Sequence, residues 1–192
     1  MFAALVLAAA VAAAATPVPR PGARVGAKAP VHALGGDSAA PSDGARHPAV
    51  ILLGGLEGGI PPGAFGLAAQ GYAAFAVAYF GTDPLPKSVD LIPVERISRA
   101  IDWLADRPEV DPTRIGILGV SKGSELALLA ATRDRRIKSV AVISPSAYVW
   151  FAPAYDGGGE RSSWTVNNDP LPFVPIDKRA ENELARTYES GG

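Results

Sequence analysis

The chain has 192 residues, enough for one domain with its own core. Its 48% hydrophobic and 19% charged residues exclude the charged, low-hydrophobicity composition of a disordered protein. A net charge of −1 gives no general attraction to nucleic acid, and the lack of cysteine excludes disulfides, thiolate metal sites and a cysteine nucleophile.

Phe2 to Ala15 is almost wholly apolar, and Ala13-Ala14-Ala15 offers small residues for cleavage before Thr16. That pattern predicts a signal peptide over residues 1–15 and an exported (periplasmic or secreted) protein, although no Lys or Arg precedes the run. A disordered alanine-rich N-terminus is the alternative. The run is too short to span a bilayer, so no stable membrane insertion is expected. Residues 16–47 are rich in Pro, Gly, Ala and Ser and read as a linker, with packed structure starting at Pro48 and running through 48–192.

Ala49 to Leu53 is a continuous apolar run closed by Gly54-Gly55, as in a buried parallel strand. A short helix up to Gln70 is expected to end at Gly71 as a capping glycine, and Tyr72 to Tyr79 forms a second strand. Phe80 to Pro93, with Pro84, Pro86 and Pro93, is expected to be a loop, with Pro93 at the start of a helix. In that helix Ile97, Ala100, Ile101 and Leu104 make one buried stripe. A strand at Ile115–Leu118, a helix at Ser121–Thr132 and a strand at Ile137–Ile143 follow. The alternation predicts an α/β fold, a parallel sheet with helices on both faces. Pro145 to Pro175 reads as an irregular excursion, and Asp177 to Ser190 as a polar helix. The cluster Arg133, Arg135, Arg136 and Lys138, with Asp134 among them, reads as a solvated turn after a helix C-terminus.

The chemical signal is Gly119-Val-Ser-Lys-Gly123, a G-x-S-x-G sequence between a strand and a helix. That order lifts a serine out of a sheet on a strained turn, so Ser121 is the candidate nucleophile; a helix-capping serine without chemistry is the alternative. A serine hydroxyl needs a base and donors for the oxyanion. The Lys122 N–H, at the helix start, is the expected first donor. Gly54-Gly55-Leu56-Glu57-Gly58-Gly59 is placed to give the second, through the Leu56 N–H, unless it is a plain glycine-rich turn. Glu57 either interacts with Ser121 or Lys122 or faces water. No motif calls for a cofactor or a metal.

The base is the difficulty. The usual order in this fold is Ser, then Asp or Glu, then His, yet the two histidines are His32 and His47. His47 precedes the Ala49–Leu53 strand and is expected at the non-reactive edge of the sheet, and His32 lies in the linker. Neither is expected to act on Ser121, and no downstream acid, Asp156 and Asp169 included, follows a recognisable further strand.

Several segments together resemble a known family. They are Leu52 to Gly59, Gly71 to Gly81 with Leu85-Pro-Lys87, Ala100 to Leu104, Gly116 to Leu126, and Ser162 to Thr165 with Pro170 to Pro175. The resemblance is to the catalytic domain shared by acyl-CoA thioester hydrolases and bile acid-CoA:amino acid N-acyltransferases. It implies an α/β-hydrolase fold and acyl transfer from a thioester through an acyl-enzyme on Ser121, with the Leu56 and Lys122 backbones holding the oxyanion. The family's acid and base lie on strands beyond the point where this chain ends. The resemblance therefore implies a partial domain lacking the C-terminal strands, with weak turnover at best, and an exposed sheet edge prone to aggregation. A small acyl thioester or ester is the expected partner. A non-catalytic remnant that binds an acyl ligand, and a general esterase or dienelactone-hydrolase-like enzyme, are the alternatives.

Overall fold

A computed structural model describes residues 24–26, 29–31, 34–152 and 160–175. The apolar N-terminal run, His32, Asp156 and the polar stretch 177–190 lie outside the described residues. Six strands form the main sheet: β1 (Ala29–Val31), β2 (Gly36–Ala39), β3 (His47–Leu53), β4 (Ala73–Val77), β6 (Val110–Val120) and β7 (Ile137–Ile143), in the order β1-β2-β4-β3-β6-β7. The four strands from β4 to β7 are parallel, while β2 joins β4 antiparallel.

β3 from Ala49 to Leu53, β4, and β6 from Ile115 to Leu118 are continuous apolar runs because both faces of the sheet are covered there, whereas β7 at the edge is mostly exposed. Alternation along each strand divides the side chains between two cores. Ile51 and Leu53 of β3 join Phe75 and Val77 of β4 on one face, and Leu52, Ala74 and Ala76 lie on the other. The first face packs against α2 (Arg96–Ala105) through Ile97, Ile101 and Leu104, and against α3 (Lys122–Ala131) through Leu126, Ala127 and Ala130. The second packs against α1 (Ala64–Ala69) through Ala64 and Ala68. The chain steps one way from β3 to β4 and the other way from β4 to β6. Right-handed crossovers then place α1 on one face and α2 and α3 on the other. These features give the α/β-hydrolase type of fold expected from the sequence.

Gly71 ends α1 as expected, with φ 90° and its N–H donating to the Ala68 carbonyl at 2.9 Å. Three expectations need correction. The sheet begins before Pro48, because β2 lies inside the expected linker. Gly36-Asp-Ser-Ala39 has no apolar alternation, and it pairs because the edge of β4 needs backbone partners. Pro93 does not open a helix. It lies in β5 (Ile92–Pro93), and α2 begins at Arg96. The excursion after Ser144 carries order of its own, in β8 (Phe151–Ala152), β9 (Arg161–Ser162), β10 (Trp164–Val166) and β11 (Asp169–Pro170). β10 pairs with β5, which ties the excursion to the strand leading into α2. Among the described residues β7 is an edge strand, and Val140 and Ile143 on it are exposed.

Candidate active site at the carboxyl end of β6

The direction of strand order reverses between β3 and β6. In an open α/β sheet the crevice beyond the carboxyl ends of strands at such a point is where ligands bind. Two loops meet there: the glycine loop after β3 and the turn from β6 into α3.

The turn carries Ser121 at φ 50° and ψ −114°, a backbone conformation that costs a non-glycine residue about 1–3 kcal/mol. The surroundings hold it there. Its N–H donates to the Ile143 carbonyl at 2.8 Å, and its carbonyl accepts from the Ser124 N–H at 2.9 Å. The buried Ser124 hydroxyl lies 2.9 Å from both the Gly119 and Ile143 carbonyls, clamping the end of β6 to the end of β7. The flanking glycines are needed for space. A Cβ on Gly119 would collide with the backbone of Gly123, and one on Gly123 with the carbonyls of Gly54 and Leu53. The G-x-S-x-G spacing therefore lets three backbone segments meet at one serine.

The glycine loop is held from both sides. The buried Tyr79 hydroxyl donates to the Gly54 carbonyl at 2.7 Å, and Glu57 Oε1 accepts the Gly55 N–H at 2.7 Å. Burial, with the charges of Glu57 and Glu125 nearby, pushes the Tyr79 phenol well above its usual range, so it stays a donor. Glu57 thus faces water, as one of the two expectations had it, but its carboxylate folds back onto its own loop. With Gly55 engaged, the Leu56 N–H has no partner among the described residues. A Cβ on Gly55 would come within 3.3 Å of the Ser121 Cβ, which shows how closely this loop approaches the serine. The Lys122 N–H opens α3, where the first N–H groups have no intrahelical acceptor.

Leu56, Ser121 and Lys122 line one cavity of about 300 Å³, walled further by Ser144, Ser146, Trp150 and Phe151. The three residues expected to act together are therefore together. A larger cavity of about 370 Å³ lies near the opposite ends of the strands, beside Trp103, Arg107 and Val110, and holds no nucleophile placed on a strained turn.

The Lys122 side chain is the part that the sequence did not disclose. It is 5% exposed, and its Nζ donates to Glu125 Oε2 at 2.9 Å and to the Trp150 carbonyl at 2.9 Å. The Phe151 carbonyl is 3.4 Å away, and the Trp164 ring centroid 5.7 Å. Glu125 is equally buried and accepts the Trp164 indole N–H at 2.9 Å. Burial pulls the Lys122 pKa down, and the hydrogen bond and charge of Glu125 oppose that shift. Nothing local in the sequence marks Tyr79, Ser124, Glu125 or Trp164 for a role. The signal for Glu125 was an acid three residues after Lys122 in the first turn of a helix, a pattern usually found in water.

His47 opens β3 and pairs with Val110, while the other end of β3 pairs with Gly119 beside the turn. Six residues of strand put His47 roughly 20 Å from the site. Its Nε2 lies 2.8 Å from Asp43 Oδ1. No group of three or more metal-ligating side chains occurs among the described residues.

Comparison with known proteins places these residues in context. Residues 92–178 match the family described as BAAT / acyl-CoA thioester hydrolase C terminal. Acyl-coenzyme A thioesterase 2, mitochondrial, of Mus musculus is 38% identical over 107 residues, which is 55% of this chain and 24% of that protein. Acyl-coenzyme A thioesterase 1 of Rattus norvegicus is 37% identical over 107 residues, 55% of this chain and 26% of that protein. The chain thus spans about a quarter of the length of these curated relatives. Among solved structures, an acetyl xylan esterase from Paenibacillus sp. R4 superposes with a TM-score of 0.45 at 26% identity, over 55% of this chain and 42% of that one.

Proposed function

We propose, from the match of residues 92–178 to the BAAT / acyl-CoA thioester hydrolase C-terminal family and from the geometry of the turn, that this chain carries the nucleophile and oxyanion site of an acyl-transfer centre. The substrate is a small acyl thioester or ester. The Ser121 Oγ attacks the carbonyl carbon, and the negative charge that develops on the carbonyl oxygen meets the N–H groups of Leu56 and Lys122. Collapse of the tetrahedral intermediate breaks the bond to sulfur or oxygen. The acyl group remains on Ser121, and the thiol or alcohol leaves with the proton that the serine gave up. Water or another nucleophile then takes the acyl group.

The observation that carries this reading is a serine held at φ 50° on the rim of a cavity that it shares with Leu56 and Lys122. A backbone strain of this kind persists only where surrounding structure enforces it, and such residues cluster at active sites. Among the described residues no histidine stands beside Ser121, since His47 is at the far end of β3 and His32 lies outside them. Acylation by this chain is therefore slow and deacylation slower, with residual catalysis supplied by the oxyanion site and by binding.

The test is thiol release from short and long acyl thioesters, run beside the matching p-nitrophenyl esters. The expected result is slow turnover that Ser121→Ala abolishes. Turnover unchanged in that variant would overturn the reading, and the ratio between the two substrate series decides thioester against ester. The apolar run over residues 2–15 belongs to the same proposal as an export signal. Cleavage before Thr16 on expression in a secreting host supports it, and an intact N-terminus in the cytoplasm contradicts it.

A further inference from the structure

The Lys122 ammonium is a costly thing to bury so close to the turn, because taking both charges of a pair out of water is repaid only when every proton and lone pair finds a partner. Here the partners are found. An ammonium has three N–H donors, and Nζ meets the Glu125 carboxylate, the Trp150 carbonyl and, at 3.4 Å, the Phe151 carbonyl. Glu125 Oε2 in turn receives the Lys122 ammonium and the Trp164 indole N–H at 2.9 Å each. The Ser163 hydroxyl adds a third tie by donating to the Trp150 carbonyl at 3.1 Å. An apolar side chain would fill this space at lower cost but would fix nothing in orientation.

What the network fixes is specific. At one end is the residue whose own N–H faces the developing oxyanion. At the other are Trp150 and Phe151, which wall the cavity, and Trp164 of β10, which is fully buried and pairs with Ile92 of β5. The side chain of Lys122 thus joins the serine turn to the wall of its cavity across 28 residues of chain. We propose that Lys122, through Glu125 and Trp164, is a positioning residue that holds the oxyanion N–H and the Trp150–Phe151 wall in one geometry. The proposal rests on the reading of Ser121 given above.

Lys122→Met keeps an unbranched side chain as far as Cε and removes the ammonium. The measurements are the rate of Ser121 acylation by p-nitrophenyl acetate, resolved into its saturating rate and half-saturation concentration, and backbone hydrogen exchange over 119–125 and over the wall segment, 149–152 with 160–165. The expected result is a saturating rate at least tenfold lower, with half-saturation within about twofold of the parent. Exchange should be at least tenfold faster in both segments, while β2, on the far side of the sheet, is unchanged. A folded Lys122→Met protein with an unaltered saturating rate overturns the proposal and leaves the Ser121 reading standing. If the parent protein acylates nowhere, the Ser121 reading has failed, and exchange alone decides: faster exchange in both segments supports the tie, and unchanged exchange removes it. Should Lys122→Met not fold, Glu125→Gln replaces it. That variant keeps an acceptor for the indole and removes the charge, and it is expected to lower the saturating rate threefold to tenfold. No change there overturns the proposal.

Discussion

The two ends of α3 carry similar charges in opposite surroundings. At the amino end Lys122 and Glu125 are both 5% exposed, and their bonds run inward to Trp150 and Trp164. Just past the carboxyl end Arg136 is 42% exposed and bonds Asp134 at 2.7 Å and Asp102 at 2.6 Å. Arg133 donates to the Leu129 carbonyl, the usual use of a cation where a helix ends, and Lys138 of β7 to the Arg135 carbonyl in the turn. The second cluster is the solvated turn that the sequence suggested, with Asp134 more enclosed than expected. The contrast teaches that burial, not charge or spacing, separates a pair that sets geometry from one that only satisfies nearby groups.

The comparison can be broken at each end. Glu125→Leu leaves the Lys122 ammonium buried with carbonyl partners alone, and it should cost about 3–5 kcal/mol in urea denaturation. Gly123→Ala drives a Cβ into the Gly54 and Leu53 carbonyls, and it should cost about 3 kcal/mol as overpacking at the same end. Ser124→Ala removes the hydroxyl that bridges the ends of β6 and β7, for about 1–2 kcal/mol. At the other end Asp102→Ala, whose side chain is 62% exposed, should cost below about 0.5 kcal/mol. A loss above 2 kcal/mol there, or below 1 kcal/mol for Glu125→Leu, would erase the distinction.

Acid sharpens it further. The Arg136 guanidinium beside Asp134 lowers that carboxyl from 3.8 to about 2. A depressed folded-state pKa means that its stabilising contribution is present above about pH 4 and is lost as pH falls towards 2. Melting temperatures of the parent and Asp134→Asn should therefore differ near neutral pH and converge by about pH 2.

Much of this was legible in the chain. The β3, β4 and β6 runs and the stripe Ile97, Ala100, Ile101, Leu104 have periodicities that burial in a parallel α/β sheet explains. The turn at Ser121 was legible because its glycines report where backbones must touch. β2 and the small strands after Ser144 were not, because Gly36-Asp-Ser-Ala39 and the segment around Trp164 pair through backbone groups and show no apolar alternation. The burial of Lys122 was also hidden. Its partners at Trp150 and Trp164 lie 28 and 42 residues away, on a segment whose path no local pattern sets.

The central claim is that the turn makes Ser121 the nucleophile, and peptide-level mass spectrometry after exposure to p-nitrophenyl acetate and to an acetyl thioester tests it most directly. The account predicts a single acetyl group on Ser121 that persists, with no histidine beside it among the described residues, and is absent from Ser121→Ala. Acetyl groups confined to surface lysines, with Ser121 unmodified in the folded protein, would contradict it.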